Sequence, residues 1–315
     1  MKKRAIVLTI FLLAACLMLT ACSDMAMGGL IQELFFEFDE NVDSIPEEHS
    51  QLLETIPEDF TIPEEVPDNV TVLETTAPDV IEPEPENISS QGLKFKSNGN
   101  GTCKVSGIGT CTDTNIVIPS VSPDGDRVTS IGDDAFYGCS RLKSIVIPDG
   151  VTSISDSAFQ YCDNLTSVVI PDSVTSIGDS AFYDCSRLTS IVIPDGVTSI
   201  GDKVFTGCSR LTSIVIPDGV TSIGVSEFYS CKSLASIVIP EGVTIIDDFA
   251  FSGCSGLTSI VIPDSVTSIG NEAFWNCDSL TDVYYTGTEQ EWAAITIGEY
   301  NRGLTNATIH FNYQP

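Results

Sequence analysis

Seven cysteines recur at a fixed interval of 23 residues: Cys139, Cys162, Cys185, Cys208, Cys231, Cys254 and Cys277. Thiolates are nucleophiles and zinc ligands, and paired thiols form disulfides. Zinc sites use closely spaced pairs such as CxxC, whereas these cysteines occur singly. If consecutive units stack about 4.8 Å apart, their Cα–Cβ bonds run parallel and the Cβ atoms stay farther apart than the roughly 3.8 Å of a disulfide. The spacing therefore predicts a column of free thiols packed as small apolar side chains, with no metal and no cofactor.

Two other cysteines, Cys103 and Cys111, lie outside this register and are eight residues apart. Residues 97–101 (SNGNG) precede them and predict the turn of a β-hairpin. The sequence alone leaves open whether Cys103 and Cys111 form a disulfide.

Two columns of acidic residues follow the same period. One comprises Asp149, Asp172, Asp195, Asp218, Glu241 and Asp264, and the other comprises Asp133, Asp156, Asp179, Asp202 and Asp248. A row of carboxylates is one way to hold divalent cations through oxygen ligands, but neither column has the multi-acid loop of a calcium-binding repeat. We favour turn residues for the first column and helix N-caps for the second, and cation binding stays open.

The two histidines, His49 and His310, have no partner that spacing reveals. Acid–base and nucleophilic catalysis both need convergent titratable groups, and a Ser-His-Asp set would have to use serines that are repeat positions. The sequence therefore predicts a protein that is not an enzyme.

The residues that position these columns belong to an internal repeat. Phenylalanines follow the same interval of 23 residues at Phe136, Phe159, Phe182, Phe205, Phe228, Phe251 and Phe274. Seven units fill residues 128–288 without insertion. One such unit buries too little apolar surface to offset the conformational entropy that its folding costs, so the units must stack.

The unit at residues 174–196 shows how one coil is built. Ile191 and Ile193 alternate with Ser190 and Val192. This alternation predicts a short strand in which both isoleucines face inward and their neighbours face outward. Asp179 is placed to cap a single helical turn that carries Phe182 into the core. We therefore predict an α/β repeat solenoid of short parallel strands and single helical turns.

The unit pattern LxxIxIPxxVxxIxxxAFxxC resembles the BspA-like class of bacterial leucine-rich repeats over residues 128–288. The flanking segments 92–127 and 289–315 are similar to the N-terminal and C-terminal caps of that family. The resemblance implies a secreted or surface protein that adheres to host or matrix proteins or to other cells, and it implies no particular ligand.

Two units depart from the pattern. The fifth has Val225 in place of the capping aspartate and Glu227 in place of alanine, and the sixth has Ile245 and Asp247 in place of serine and glycine. We expect these changes to distort one side of the coil locally without ending the stack.

The N-terminus predicts export. Lys2, Lys3 and Arg4 precede an apolar run, which is typical of a signal peptide over residues 1–21. The run ends in LTAC, which resembles the lipobox of bacterial lipoproteins and makes Cys22 the site of lipid attachment. Loss of the three basic residues takes the formal charge from −30 to −33, because each carries one positive charge. Such an acidic surface disfavours nucleic acid and anionic lipid, which leaves the lipid anchor as the membrane contact.

Residues 22–91 form a predicted tether with 19 acidic residues, seven prolines and no Lys or Arg. Charge repulsion and proline favour an extended chain over a packed core. Residues 30–38 are an apolar patch within it, for which a helix on the bilayer and a collapsed stub both fit. We favour the stub.

Binding residues are expected on two surfaces. The outward strand positions in the columns of Ser144 and Val146 are uniform until the last strand, and the positions beside the phenylalanines carry aromatics that either anchor an interface or cover the edge of the coil. The candidates are Tyr137, Tyr183, Tyr229, Trp275, Asp282, Tyr284 and Trp292. We predict a lipid-anchored, outward-facing adhesion protein of the bacterial cell surface that binds a protein or other macromolecular surface, and the alternative is an envelope spacer without a discrete ligand.

Overall fold

The computed structural model describes residues 89–314. The predicted signal peptide, the lipid attachment site Cys22, His49 and the predicted tether up to residue 88 lie outside the described residues. The described part is a solenoid in which each 23-residue unit makes one coil with two short parallel strands. The predicted repeat solenoid is therefore confirmed.

The first strand ladder of the solenoid takes one strand from each coil, and its strands end just before the repeat prolines. Numbered in chain order, these strands are β3 (Asn115–Val117), β5 (Ser144–Val146), β7 (Ser167–Val169), β9 (Ser190–Val192), β11 (Ser213–Val215), β13 (Ser236–Val238), β15 (Ser259–Ile262), β17 (Asp282–Tyr285) and β19 (Thr308–His310). They pair in parallel as β3-β5-β7, β9-β11 and β13-β15-β17-β19. Each pairing between repeat units is offset by one unit, as in Ile214 beside Ile191.

The second ladder takes the other strand of each coil. It comprises β2 (Thr102–Gly107), β4 (Arg127–Ile131), β6 (Ser153–Ile154), β8 (Ser176–Ile177), β10 (Ser199–Ile200), β12 (Ser222–Ile223), β14 (Ile245–Ile246), β16 (Ser268–Ile269) and β18 (Thr296–Ile297). The order is β2-β4-β6-β8-β10 followed by β12-β14-β16-β18. The ladder is thus interrupted between the fourth and fifth units.

The caps continue both ladders beyond the seven units. At the N-terminal end, β1 (Lys94–Ser97) pairs antiparallel with β2 around the predicted turn, which confirms the hairpin. At the C-terminal end, the helices α1 (Glu289–Trp292) and α2 (Arg302–Asn306) connect β17, β18 and β19. Thr288 begins α1 with a capping box, because its side chain and that of Glu291 each bind the other's backbone N–H.

The core is a continuous set of aligned columns. The seven repeat phenylalanines are fully buried, and successive rings stack face to face with centroids 5.2 to 5.9 Å apart. Ile191 and Ile193 face inward and Val192 faces outward, as the alternation predicts. Each coil therefore covers the apolar face of the next, and stacking supplies the burial that one unit lacks.

The prediction that a single helical turn carries each phenylalanine into the core is wrong. Residues 128–288, all of which the structure describes, contain turns there and no α-helix. Each coil holds a left-handed residue two positions before and two positions after its phenylalanine, as at Ser157 (φ 54°) and Tyr161 (φ 61°) around Phe159. Left-handed residues end a right-handed helix, so the segment bends twice, and every second N–H group bonds to the next coil. An example is the Phe159 N–H, which donates to the Ala181 carbonyl at 2.8 Å.

Candidate functional site

The first strand ladder presents a row of exposed valines on its outer side, which we call the valine face: Val146, Val169, Val192, Val215 and Val238. The central pair, Val192 and Val215, is 76% and 75% exposed, which is unusual for apolar side chains in the middle of a sheet. Parallel pairing places Val146 beside Val169 and Val192 beside Val215, one strand apart. The row therefore forms an apolar strip along the solenoid, with breaks in the strand ladder between β7 and β9 and between β11 and β13.

Threonines border the valine face, and their hydroxyls are bound within the protein. The Thr166 hydroxyl donates to the Lys143 carbonyl at 3.0 Å, and the Thr212 hydroxyl donates to the Thr189 carbonyl at 3.1 Å in the coil before. The serines that lead each strand, such as Ser190 and Ser213, are exposed beside the valines. The strip thus offers apolar contact with hydroxyls along one side.

The C-terminal end of the valine face differs chemically from the rest. Tyr284 occupies the valine position in the register, and its ring stacks on His310 with centroids 4.8 Å apart. Nε2 of His310 lies 2.7 Å from Oδ1 of Asp282, and this hydrogen bond holds the pKa of Asp282 below its usual range. His310 therefore has a partner, Asp282, that the sequence spacing did not reveal. The partner was missed because the coil of the cap, from Asp282 to Thr308, is longer than the repeat.

The aromatic candidates beside the phenylalanines form a second row on the turn side of the coils. Tyr137, Tyr229 and Trp275 are exposed, whereas Tyr183 is half-buried. Tyr161, which the sequence did not single out, makes edge contacts to Tyr137 and Tyr183 with centroids 5.4 and 5.5 Å apart. The tyrosines of the first coils therefore cover one another in part.

Trp292 belongs to neither surface. It is half-buried and makes an edge contact to the buried ring of Tyr285, with centroids 5.1 Å apart. Its position in α1 places it against the core of the C-terminal cap, where it packs rather than projects.

The repeat cysteines are free thiols, buried at six positions and half-buried at Cys139. Each of the six donates its S–H to the carbonyl of the phenylalanine in the coil before, as Cys185 does to Phe159 at 3.2 Å. The same Phe159 carbonyl accepts the Cys162 backbone N–H at 3.1 Å. Burial raises the pKa of the Cys185 thiol well above its usual value, so the thiol stays protonated as a donor. The column thus connects adjacent coils through hydrogen bonds as well as packing.

Four of the five aspartates predicted as N-caps bind the next coil instead, and Asp133 pairs with Lys104 of the N-terminal cap. Oδ1 of Asp179 accepts the backbone N–H of Asp202 at 2.9 Å, and Oδ1 of Asp202 accepts the N–H of Val225 at 2.9 Å. The cap prediction is wrong because no helix follows. Val225 has no carboxylate, so the N–H of Asp248 binds instead to its neighbour Asp247 at 2.9 Å. The two departures from the repeat pattern are therefore coupled: the aspartate of the sixth unit supplies the acceptor that the fifth unit lacks.

Glu227 is fully buried at a position where most units have alanine. Its Oε2 accepts the Gly224 N–H at 2.8 Å, and its Oε1 has no hydrogen-bond partner within the described residues. Burial raises the pKa of Glu227 to about 8, and Asp202 adds to the effect. The equivalent N–H at Gly201 donates to the Ile177 carbonyl in the coil before. The redirected bond at Gly224 therefore coincides with the interruption between β10 and β12.

These features define a leucine-rich-repeat solenoid, a class that presents long exposed faces to partners. The model for the BspA type leucine rich repeat region matches six copies at residues 110–233 and 221–293, and the chain belongs to that family. Its repeat fold suggests a role in protein interaction.

The solved structures similar to this chain include two bacterial leucine-rich repeat proteins. A leucine rich repeat protein of T. pallidum is 30% identical, covers 60% of this chain and 88% of its own, and superposes with a TM-score of 0.55. A leucine-rich repeat protein from Bacteroides ovatus is 26% identical over 70% of each chain, with a TM-score of 0.48. No curated protein matches the chain.

Proposed function

We propose that the solenoid is the binding module of a cell-surface adhesion protein and that it binds a protein partner along the valine face. The observation that supports this proposal is the row of outward valines, with Val192 and Val215 about three-quarters exposed at 76% and 75%. Covering five such side chains contributes on the order of 5 kcal/mol. That free energy is large enough to support binding once a partner also supplies polar contacts.

The valine face is a better candidate than the aromatic row. Tyr137 and Tyr183 already contact Tyr161 by their ring edges, so part of their apolar surface is satisfied within the protein. The valines lie on short strands that pair in parallel as β5-β7 and β9-β11, so the backbone beneath them loses little conformational entropy when a partner binds. A rigid apolar strip with adjacent hydroxyls suits an extended protein segment or a second sheet.

Display at the cell surface is part of the proposal. The LTAC sequence that ends at Cys22 supports lipid attachment, and the acidic residues 22–91 support a tether that holds the solenoid away from the membrane. Within residues 89–314, no helix has the length and apolar character needed to cross a bilayer.

A spacer role is the second candidate, and the uniformity of the valine face favours it. Five consecutive coils present an exposed valine at the same position, and a surface so regular provides little basis for choosing one ligand. The C-terminal group of Asp282, Tyr284 and His310 breaks this uniformity and favours a binding role.

The proposal is tested with the purified full chain as a probe against immobilised host matrix proteins and intact bacterial cells. We expect a retained partner to bind at least tenfold more weakly to the double variant Val192→Glu, Val215→Glu. Both side chains are exposed, so the substitutions place two charges on the strip without entering the core. Thr198→Glu, Thr221→Glu is the matched control, because it adds the same charges one coil apart on the exposed side of the second ladder.

Equal weakening by both double variants would indicate general charge repulsion and contradict the valine face. Retention of no matrix protein or cell above a scrambled acidic control would overturn the binding role and leave the spacer role. The length of the binding site follows from deleting internal units in multiples of 23 residues, which preserves the repeat register. Gradual weakening indicates an extended face, whereas abrupt loss with Tyr284→Ala indicates one local site at the C-terminal end.

A further inference from the structure

A cavity of about 210 Å³ lies where the N-terminal cap meets the first repeat, and two cysteines line it. Cys111 comes from the cap and Cys139 is the first thiol of the repeat column. Both side chains are half-buried, whereas the six later repeat thiols are buried. These two partly exposed thiols therefore line the same cavity.

Strand register brings the two cysteines to neighbouring coils. β3 pairs with β5 so that Asn115 lies beside Ser144, an offset of 29 residues. The same offset holds on the N-terminal side of the strands. There the guanidinium of Arg141 donates to the carbonyl of Thr112, 29 residues earlier, at 3.5 Å. This register places Cys111 beside the residue that follows Cys139. Neighbouring strands are about 4.8 Å apart, which is within the Cα separation of disulfides.

Cys139 also lacks the bond that fixes the other repeat thiols. Cys162 donates its S–H to the Phe136 carbonyl at 3.1 Å, and the five later cysteines repeat this contact. Cys139 makes no such bond within the described residues, since the preceding coil belongs to the cap and has a different path. Burial raises the pKa of Cys139, and the nearby Cys111 raises it further.

We propose that Cys111 and Cys139 form a redox-active dithiol that closes to a disulfide by exchange with a small-molecule disulfide such as oxidised glutathione. The Cys111 thiolate attacks one sulfur of the small disulfide, which forms a mixed disulfide and releases one small thiol. The Cys139 thiolate then attacks the Cys111 sulfur and releases the second small thiol. Two protein thiols are oxidised and one small disulfide is reduced, with two protons passing to the released thiolates. The product ties the cap covalently to the first repeat.

Tryptic peptide mapping of the full chain tests the proposal without any substitution. The protein is equilibrated in glutathione buffers of increasing oxidation, alkylated under denaturing conditions and digested without reduction. Cleavage at Lys104, Arg127 and Arg141 separates the cysteines, so the disulfide would join peptides 105–127 and 128–141. Cys103 lies in a third peptide, 97–104, so the alternative Cys103–Cys111 disulfide gives a different product.

We expect the joined peptides to accumulate as oxidation rises and to disappear on reduction. Cys103→Ser is the matched control and keeps the product. Cys111→Ser and Cys139→Ser lose it and leave the remaining thiol carrying glutathione. The unfolding midpoint of the wild-type protein rises on oxidation, whereas that of Cys111→Ser does not. Alkylation of both thiols after treatment with oxidised glutathione, or joining of Cys103 to Cys111, would overturn the proposal.

Discussion

The Glu227 carboxylate accepts the backbone N–H of Gly224 at 2.8 Å while its other oxygen is buried without a partner. This arrangement favours the protonated acid, because burial raises the pKa of Glu227 from an ordinary 4.5 to about 8. Between these two pH values the folded protein holds a proton that the unfolded chain has released. The contribution to stability is therefore complete below pH 4.5 and is lost as pH rises to about 8.

Glu227→Gln should remove this pH dependence while keeping the size of the side chain. We expect the free energy of unfolding of the wild-type protein to fall relative to the variant by at most about 1.4 kcal/mol per pH unit between pH 5 and 8. Urea unfolding across this range measures the difference. Glu241→Gln, at an exposed turn, should follow the wild-type curve. Parallel curves for wild type and Glu227→Gln would show that Glu227 is ionised in the folded protein.

Cys185→Ala should destabilise the solenoid by about 1 to 2 kcal/mol, because it removes a buried side chain and its hydrogen bond to the Phe159 carbonyl. Cys139→Ala should cost less, because that thiol is half-buried and has no such bond within residues 89–314. The unfolding midpoint in denaturant, with and without reductant, measures both effects. A reductant-dependent loss for Cys185→Ala would mean that this thiol is paired.

Gly207→Ala should destabilise the folded protein more than Gly138→Ala does. Both glycines have left-handed backbone, with φ 75° and 65°, so alanine costs about 1 kcal/mol at each. At Gly207 the added Cβ also collides with the Asp184 carboxylate, whereas at Gly138 it meets open space. Thermal unfolding should separate the two variants. Asp184→Ala, which removes the carboxylate but keeps a Cβ at this left-handed position (φ 54°), should restore much of the loss in Gly207→Ala, and equal losses without this rescue would contradict the collision.

Cys22→Ala should release the protein into the medium or leave it uncleaved, because Cys22 is the proposed lipid attachment site. Fractionation of cells and the mass of the N-terminal peptide measure the outcome. Cys16→Ala, in the apolar run, is the matched control and should fractionate with the membrane as wild type does. Normal processing and membrane association of Cys22→Ala would refute the anchor.

The fold was predictable because its determinants recur. The columns of Phe182 and Cys185, repeated every 23 residues, require stacked coils whatever the local backbone does. The turns were not predictable from pattern, because residues such as Ser157 and Tyr161 adopt left-handed backbone where only some units have glycine. Tertiary contacts between coils fix these angles, and local propensity gives no sign of them.

Parts of the candidate sites fall outside the period, and sequence reasoning missed them for that reason. The Asp282–His310 contact spans 28 residues, as does the pair Cys111 and Cys139. Both involve a cap coil that is longer than a repeat unit. A search of the cap segments for residue pairs separated by somewhat more than 23 residues could have found both pairs. The sequence shows Glu227 as a departure from the repeat pattern. Its burial was not predictable, because burial depends on how the neighbouring coils pack against it.

The buried thiols allow the local opening of each coil to be measured separately. A thiol held under the Phe carbonyl of its neighbour reacts with an alkylating reagent only after that coil opens, so the labelling rate at each cysteine reports the local opening equilibrium. Cys162 to Cys277 sample six successive coils with one chemistry and one environment. Their labelling rates would map how opening spreads along the protein, and Cys208 and Cys231, on either side of the interrupted second ladder, would show whether that break lets the two halves open separately.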